Sequence, residues 1–352
     1  MDTRIRDFVK TNECYFAVNT YYHPENSVIS FLRYINIDKI GNHLLKDYEL
    51  DENDIRILNG ERFIKVADSS KAYAILKEYY PEYLFYDEIN DVLLHAVPKT
   101  NIKEILSPQK RLEEVLNEQN TEAEIKCAKL ADTLHDYGLE YKNMGVSGST
   151  VLKLNNENSD IDFVIYGMEK HKIAREILSV TFKDGVLEPL SEDFWKKAYV
   201  KRIKDGTLTY DEFVWHEKRK LNRGVVDGVM FDLLATREWD EITENYGDKK
   251  YKNLGFIQIK AKVKDDTFVF DNPAVYKVEN VEILNNENNA EVLASEIEEV
   301  VSFTHTYAGS TYNGEEIIVR GKLEEVSGKE TYKRVVVGTT REAFNEYVKL
   351  AK

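Results

Sequence analysis

Cysteine is nearly missing from this chain: 352 residues contain two, Cys14 and Cys127, far apart in the sequence. Such a pair builds neither a Cys-rich zinc site nor a disulfide framework, and each is expected as a buried free thiol. Long apolar runs are missing too. No stretch approaches the roughly 20 residues that a membrane span needs. The opening segment, MDTRIRDFVK, is polar and charged, without the apolar centre of a secretory leader. A cytoplasmic protein with no membrane partner is the expectation. Positive charge is also in deficit, with a net charge of −15. An acidic surface repels phosphate backbones unless basic residues gather on one face. Acidity therefore leaves open a nucleic-acid substrate, a small molecule or a protein. Internal repeats and low-complexity tails are absent.

What is present is a chain long enough for two or three domains, 42% hydrophobic and 32% charged. Residues 1–118 read as a small α+β accessory domain. Cys14–Val18 and Val28–Ile35 are rich in aromatic and β-branched residues, with His23–Asn26 as a turn between them. The apolar spacing over Ser69–Tyr80 predicts a helix, and Leu112, Val115 and Leu116 mark another. Thr121-Glu122-Ala123-Glu124 is a capping box that opens a helix ending at Gly138. Residues 119–245 are expected as the central domain. From 246 to 352 the pattern is β-rich, with Thr267–Phe270, Val275–Val278 and Ile317–Arg320 as short strands around turns. A small barrel or sandwich is expected there, an OB-like barrel being one form, with a closing helix over Arg341–Ala351. Asn285–Asn289 reads as a polar loop.

The chemistry is concentrated between Met144 and Leu234. Gly148-Ser149 follows a short strand and enters a helical turn, presenting backbone N–H groups and a hydroxyl suited to an anion such as a nucleotide's phosphates. After the Asn155–Asn158 loop, Asp160 and Asp162 stand two apart at the start of an apolar strand, so both side chains face one side. Adjacent carboxylates repel one another, and a bound divalent cation relieves that cost; magnesium prefers such oxygen ligands and bridges them to phosphates. Asp232, flanked by Phe231 and Leu233, is a third carboxylate on a neighbouring strand, costly to bury unless ligated.

Gly148-Ser149, then Asp160-Ile161-Asp162-Phe163, then Phe231-Asp232-Leu233 resembles the signature of the DNA polymerase beta superfamily of nucleotidyltransferases, over about a third of the chain. The whole chain is similar to uncharacterised predicted archaeal nucleotidyltransferases. The resemblance implies a mixed sheet backed by helices, within an overall α+β chain flanked by the two accessory domains. It assigns phosphate binding to Gly148 and Ser149, and metal binding and catalysis to Asp160, Asp162 and Asp232. Two Mg2+ ions are implied, with Mn2+ as a substitute. The implied reaction moves a nucleoside monophosphate from a nucleoside triphosphate, ATP among them, to an acceptor hydroxyl, with RNA the favoured acceptor. A small molecule or a protein hydroxyl is the alternative, and a non-catalytic nucleotide-binding module the third reading. Many members carry a basic residue soon after the Gly-Ser turn; here only Lys153 precedes Asp160. The run His216–Arg223 supplies Arg219, Lys220 and Arg223 as further nucleotide-binding candidates. Asp227 beside Gly228 reads as a hairpin turn, and His216 as structural or nucleotide-adjacent. Tyr307, Tyr312 and Tyr332 are expected as strand-core residues, with base stacking as the alternative.

Overall fold

The computed structural model describes residues 2–156, 159–288, 291–340 and 343–351. Glu157, Asn158, Asn289 and Arg341, parts of the expected loops and closing helix, lie outside the described residues. Where the sequence suggested three segments, the chain forms two compact units. The first joins Met1–Glu88, Val92–Ile177 and Val225–Tyr246; the second joins Ile89–Asp91, Leu178–Gly224 and Gly247–Lys352. Among the described residues no helix is long and apolar enough to cross a membrane.

The first unit opens with eight strands: β1 (Phe8–Lys10), β2 (Cys14–Val18), β3 (Ser27–Asn36), β4 (Ile55–Leu58), β5 (Glu61–Lys65), β6 (Leu84–Asp87), β7 (Val92–Pro98) and β8 (Glu104–Leu106). They pair in the order β4-β5-β3-β2-β1-β8, with β7 joining β3 to β6. Alternation gives this sheet two working faces. On one, Phe16, Leu32 and Ile35 pack with Ile75 and Leu76 of the helix Ser69–Tyr79, whose first turn is capped by the Asp68 carboxylate. On the other, Phe8, Tyr15, Tyr34 and Phe63 pack on Val151, Leu152 and Leu154, just beyond the Gly-Ser turn. This second face is why the amino-terminal segment and the central sheet share one unit. The β2–β3 register slips between Tyr15↔Tyr34 and Phe16↔Leu32, which leaves Arg33 as the extra residue of a β-bulge.

The central sheet holds β9 (Met144–Val146), β10 (Ile161–Tyr166), β11 (Arg223–Val226) and β12 (Val229–Thr236), in the order β11-β12-β10-β9. β9 runs antiparallel and β12 parallel to β10, so the sheet is mixed, as expected. β10 is buried along almost its whole length, which its unbroken apolar sequence requires. The helices Pro108–Asn117 and Glu122–Asp136 belong to this part of the fold, as does Met168–Lys183 up to Ile177, beyond which the second unit begins. Thr121 caps the second of them by accepting from the Glu124 N–H, and the Glu124 carboxylate accepts from the Asn120 N–H. Asp227 and Gly228 both have positive φ, 45° and 79°, the geometry of a tight hairpin turn between β11 and β12.

Asp7 precedes β1 in a buried loop, where its Oδ2 accepts from the Arg4 N–H at 2.9 Å. Burial pushes its carboxyl up from 3.8 to about 7, against the opposing pull of the Arg4 amide and charge. A raised carboxyl contributes stability that is complete below the unfolded value near 4 and is lost as pH rises through 7. Asp7→Asn is therefore expected to unfold at a higher temperature than wild type at pH 8, by about 1–2 kcal/mol of stability, with the gap closing towards pH 4. Thermal unfolding at the two pH values checks this; a constant gap would refute it.

The second unit contains the helices Glu192–Arg202 and Tyr210–Lys220 and six strands: β13 (Lys250–Phe268), β14 (Ala274–Asn286), β15 (Ile297–Ser302), β16 (Glu316–Ser327), β17 (Thr331–Val337) and β18 (Tyr347–Leu350). The order β13-β14-β15-β17-β16 closes on itself because β16 also pairs with β13. β15 and β17 run parallel and the other pairs antiparallel. A five-stranded closed barrel with this crossover has OB-type connectivity. β13 serves two neighbours by bending at a register shift beside Gly255, where φ is 101°. Its inward residues Ile257, Ile259, Ala261 and Val263 are all buried.

The expected closing helix is corrected. Tyr347–Leu350 instead forms β18 on the edge of β16, with Val348 buried. A tertiary partner, the unpaired edge at Ile317–Arg320, decides the conformation over local propensity. Tyr307 and Tyr332 are buried and Tyr312 half-buried, as core residues of this unit.

Candidate active site

Two strands and one turn build the site. Asp162 on β10 and Asp232 on β12 are direct partners in the parallel register. Neighbouring strands lie about 4.8 Å apart, so the two carboxylates start from adjacent positions. Both are half-buried; Asp160, at the entry to β10, is exposed. Burial raises the Asp162 carboxyl above its ordinary range, and the charges of Asp232 and Asp160 add to that. The positive charges of Arg6 and Arg33 oppose it.

The turn fits against this pair with no space to spare. Ser147 donates its N–H to the Asp162 carbonyl at 2.8 Å, which locks the turn to β10. Gly148 follows with φ at 61°, and a Cβ there would stand 1.9 Å from Asp162 Oδ2. Glycine is required on both counts. The helix Gly148–Val151 is held from outside by Arg111, whose Nε donates to the Thr150 carbonyl at 3.1 Å. Arg111 is buried and pairs with Glu124 and Glu114. Ser149 is half-buried at the open side of the turn.

Lys153, the single basic residue between the turn and Asp160, takes a left-handed backbone with φ 58° and pairs with Glu114 at 3.0 Å. Behind the sheet, buried His171 donates from Nε2 to the Leu233 carbonyl at 3.1 Å, beside Asp232. Burial holds its imidazole neutral, down at about 3. This donor was not evident from sequence; only packing brings it beneath β12.

The basic run behaves differently from its expectation. Lys220 and Arg223 are buried in the second unit and converge on the Glu217 carboxylate, Arg223 at 2.6 Å; Lys220 Nζ also donates to the Thr306 carbonyl at 2.9 Å. Their charge balances Glu217, whose own carboxyl is held down at about 2 by Lys220, Arg223 and Arg202 against the cost of burial. Lys220 and Arg223 are thus interior ion partners in this structure, not an exposed basic face. Arg219 is braced between Trp215 and Tyr312 and paired with Glu315. His216 is buried, its Nδ1 against the Glu212 carbonyl.

Among the described residues no three metal-binding side chains are gathered into a ready cage. The donor set nonetheless suits a hard divalent cation: oxygen ligands only, two in register, beside a turn emptied of side chain.

Residues 127–222 match the model of the nucleotidyltransferase domain family. The match takes in Gly148, Ser149, Asp160 and Asp162 and stops short of Asp232, which the strand register adds. A protein of Methanocaldococcus jannaschii described as uncharacterised is 59% identical over the whole of both chains. No solved structure matches. The chain carries a domain of the nucleotidyltransferase family over residues 127–222 and belongs, along its full length, with this Methanocaldococcus protein.

Proposed function

We propose that this chain transfers a nucleoside monophosphate from a nucleoside triphosphate to an acceptor hydroxyl, with RNA as the favoured acceptor. The observation that carries the reading is the in-register pair Asp162–Asp232 facing a turn in which Gly148 leaves room for nothing larger than hydrogen. Magnesium, held by Asp160, Asp162 and Asp232, would neutralise phosphate charge at the entering and leaving oxygens, and manganese would substitute. The chain's own groups do the rest. Gly148 and Ser149 offer backbone amides and a hydroxyl to the phosphates. Ser147 ties the turn to β10, and His171 steadies the backbone next to Asp232. The acceptor hydroxyl gives up its proton to water and its oxygen bonds to the α-phosphorus as the bridging P–O bond breaks and pyrophosphate departs. Preorganised charge is the main aid such a reaction needs.

RNA is favoured because the second unit is a barrel of OB-type connectivity, an architecture that recurrently binds oligonucleotides. The net charge of −15 supports the alternative of a small-molecule or protein acceptor. Incubating wild type and Asp160→Ala with each labelled nucleoside triphosphate, magnesium or manganese, and total RNA decides between them. Label in RNA that disappears in the variant is the expected result. Label in protein would replace the acceptor. Nucleotide binding without label or pyrophosphate would leave a non-catalytic nucleotide-binding module.

A further inference from the structure

Lys153, the one basic residue between the turn and Asp160, pairs with Glu114, and Lys220 and Arg223 pair with Glu217. The amino-terminal sheet brings two other arginines to the turn. Arg6 stands with φ at 79°, its N–H bonded to the Val18 carbonyl, and its own carbonyl accepts from Ser147 Oγ at 2.7 Å. Ser147 in turn holds the Asp162 carbonyl, so Arg6 is two hydrogen bonds from the catalytic strand.

Arg33 arrives by a different device. On a regular β3, Arg33 would alternate with Tyr34 and point towards the apolar core made by Leu32 and Ile35. The bulge at Arg33 breaks that alternation and re-aims the side chain. Its neighbour Tyr34 packs on Val151, Leu152 and Leu154, within five residues of Ser149. Both arginines are half-buried, and the charge of both acts on Asp162. Arg4, two residues before Arg6, lies over the rings of Tyr166 and Trp239 and bonds Glu238 and Gln109.

We infer that Arg6 and Arg33 of the amino-terminal sheet are the cationic contacts for the nucleotide's β- and γ-phosphates, so that this sheet forms one wall of the nucleotide site. The inference rests on the nucleotidyltransferase reading of that site. Three carboxylates, two divalent cations and a triphosphate of about four negative charges leave a net negative excess, and two guanidiniums offset most of it. Arginine suits the task because its planar fork donates two parallel hydrogen bonds to a phosphate. An alternative role, in which the arginines serve only to keep Asp162 ionised, predicts loss of metal binding rather than loss of phosphate binding.

The test measures binding of ATP, AMP and adenosine in the presence of manganese, and of manganese alone by electron paramagnetic resonance, for wild type, Arg33→Ala, Arg33→Lys and Arg6→Lys. Thermal unfolding confirms that each variant is folded. Expected for Arg33→Ala is a loss of roughly tenfold or more in ATP affinity, little change for adenosine, and manganese binding no weaker than wild type. Arg33→Lys recovers part of the loss, and Arg6→Lys loses less than Arg33→Ala. Unchanged ATP affinity, an equal loss for ATP and adenosine, or a parallel loss of manganese would overturn the assignment. Wild type that binds manganese but no nucleoside triphosphate would instead overturn the nucleotidyltransferase reading itself.

Discussion

Asp162→Asn is expected to lose at least a thousandfold in nucleotidyl transfer and yet, without divalent cation, to unfold at a higher temperature than wild type. The two effects have one cause. Asp162 is placed where burial disfavours its charge and where Asp232 and Asp160 add repulsion that Arg6 and Arg33 only partly offset. Asparagine keeps the shape, keeps the backbone carbonyl that receives the Ser147 N–H, and removes the charge. Relief of one repulsive pair next to a half-buried group amounts to about 1–2 kcal/mol, or a few degrees. In exchange the proposed metal site loses a ligand, and removal of one central charged group from a preorganised site costs turnover by several powers of ten. Magnesium is then expected to raise the unfolding temperature of wild type and to leave that of the variant almost unchanged. Calorimetry with and without magnesium, beside a pyrophosphate-release assay, reads both halves. A variant that is inactive but destabilised in the metal-free state would show that Asp162 serves the fold before the chemistry.

Much of this site was legible because it is local. Gly148-Ser149 and Asp160-Ile161-Asp162 lie within one turn, one loop and one strand, and the alternation rule alone places the two aspartates on one face. Asp232 was legible for another reason, a carboxylate inside an apolar run, and the parallel register seats it opposite Asp162. The strand Cys14–Val18 and the helix from Ser69 followed from residue type and spacing in the same way. The contributions of Arg6, Arg33, Arg111 and His171 were not legible, because each depends on which segments pack together. A bulge such as that at Arg33 leaves no mark in an alternating pattern. The basic run His216–Arg223 misled in the opposite direction. It reads as a charged surface, but Glu217 stands three residues before Lys220 in the same run, and that spacing was the available signal of a self-contained ion cluster. The OB-type closure also escapes local reading, since it is defined by β16 returning to β13 across a long separation in sequence.

Gly148→Ala is the second substitution with a large expected effect, about a hundredfold loss of activity together with roughly 1–3 kcal/mol of stability. Two costs combine. A left-handed residue with φ of 61° disfavours any Cβ by about 1 kcal/mol. The new methyl would also stand 1.9 Å from Asp162 Oδ2 and 2.9 Å from its Cγ, so the carboxylate must turn away from the position it shares with Asp232. Aspartate has too short a stem to swing clear while keeping its oxygens in place, which is why activity suffers more than the fold. The two costs can be separated by a double-mutant cycle. In the Asp162→Ala background the two severe contacts go and a 3.2 Å approach to Cβ remains beside the backbone strain, so adding Gly148→Ala should cost only about 1 kcal/mol and no further activity. Denaturant unfolding of the four proteins measures the coupling. Additive destabilisation would mean that the methyl is accommodated without moving Asp162, and that the intimate fit of turn and carboxylate is not what the glycine is there to provide.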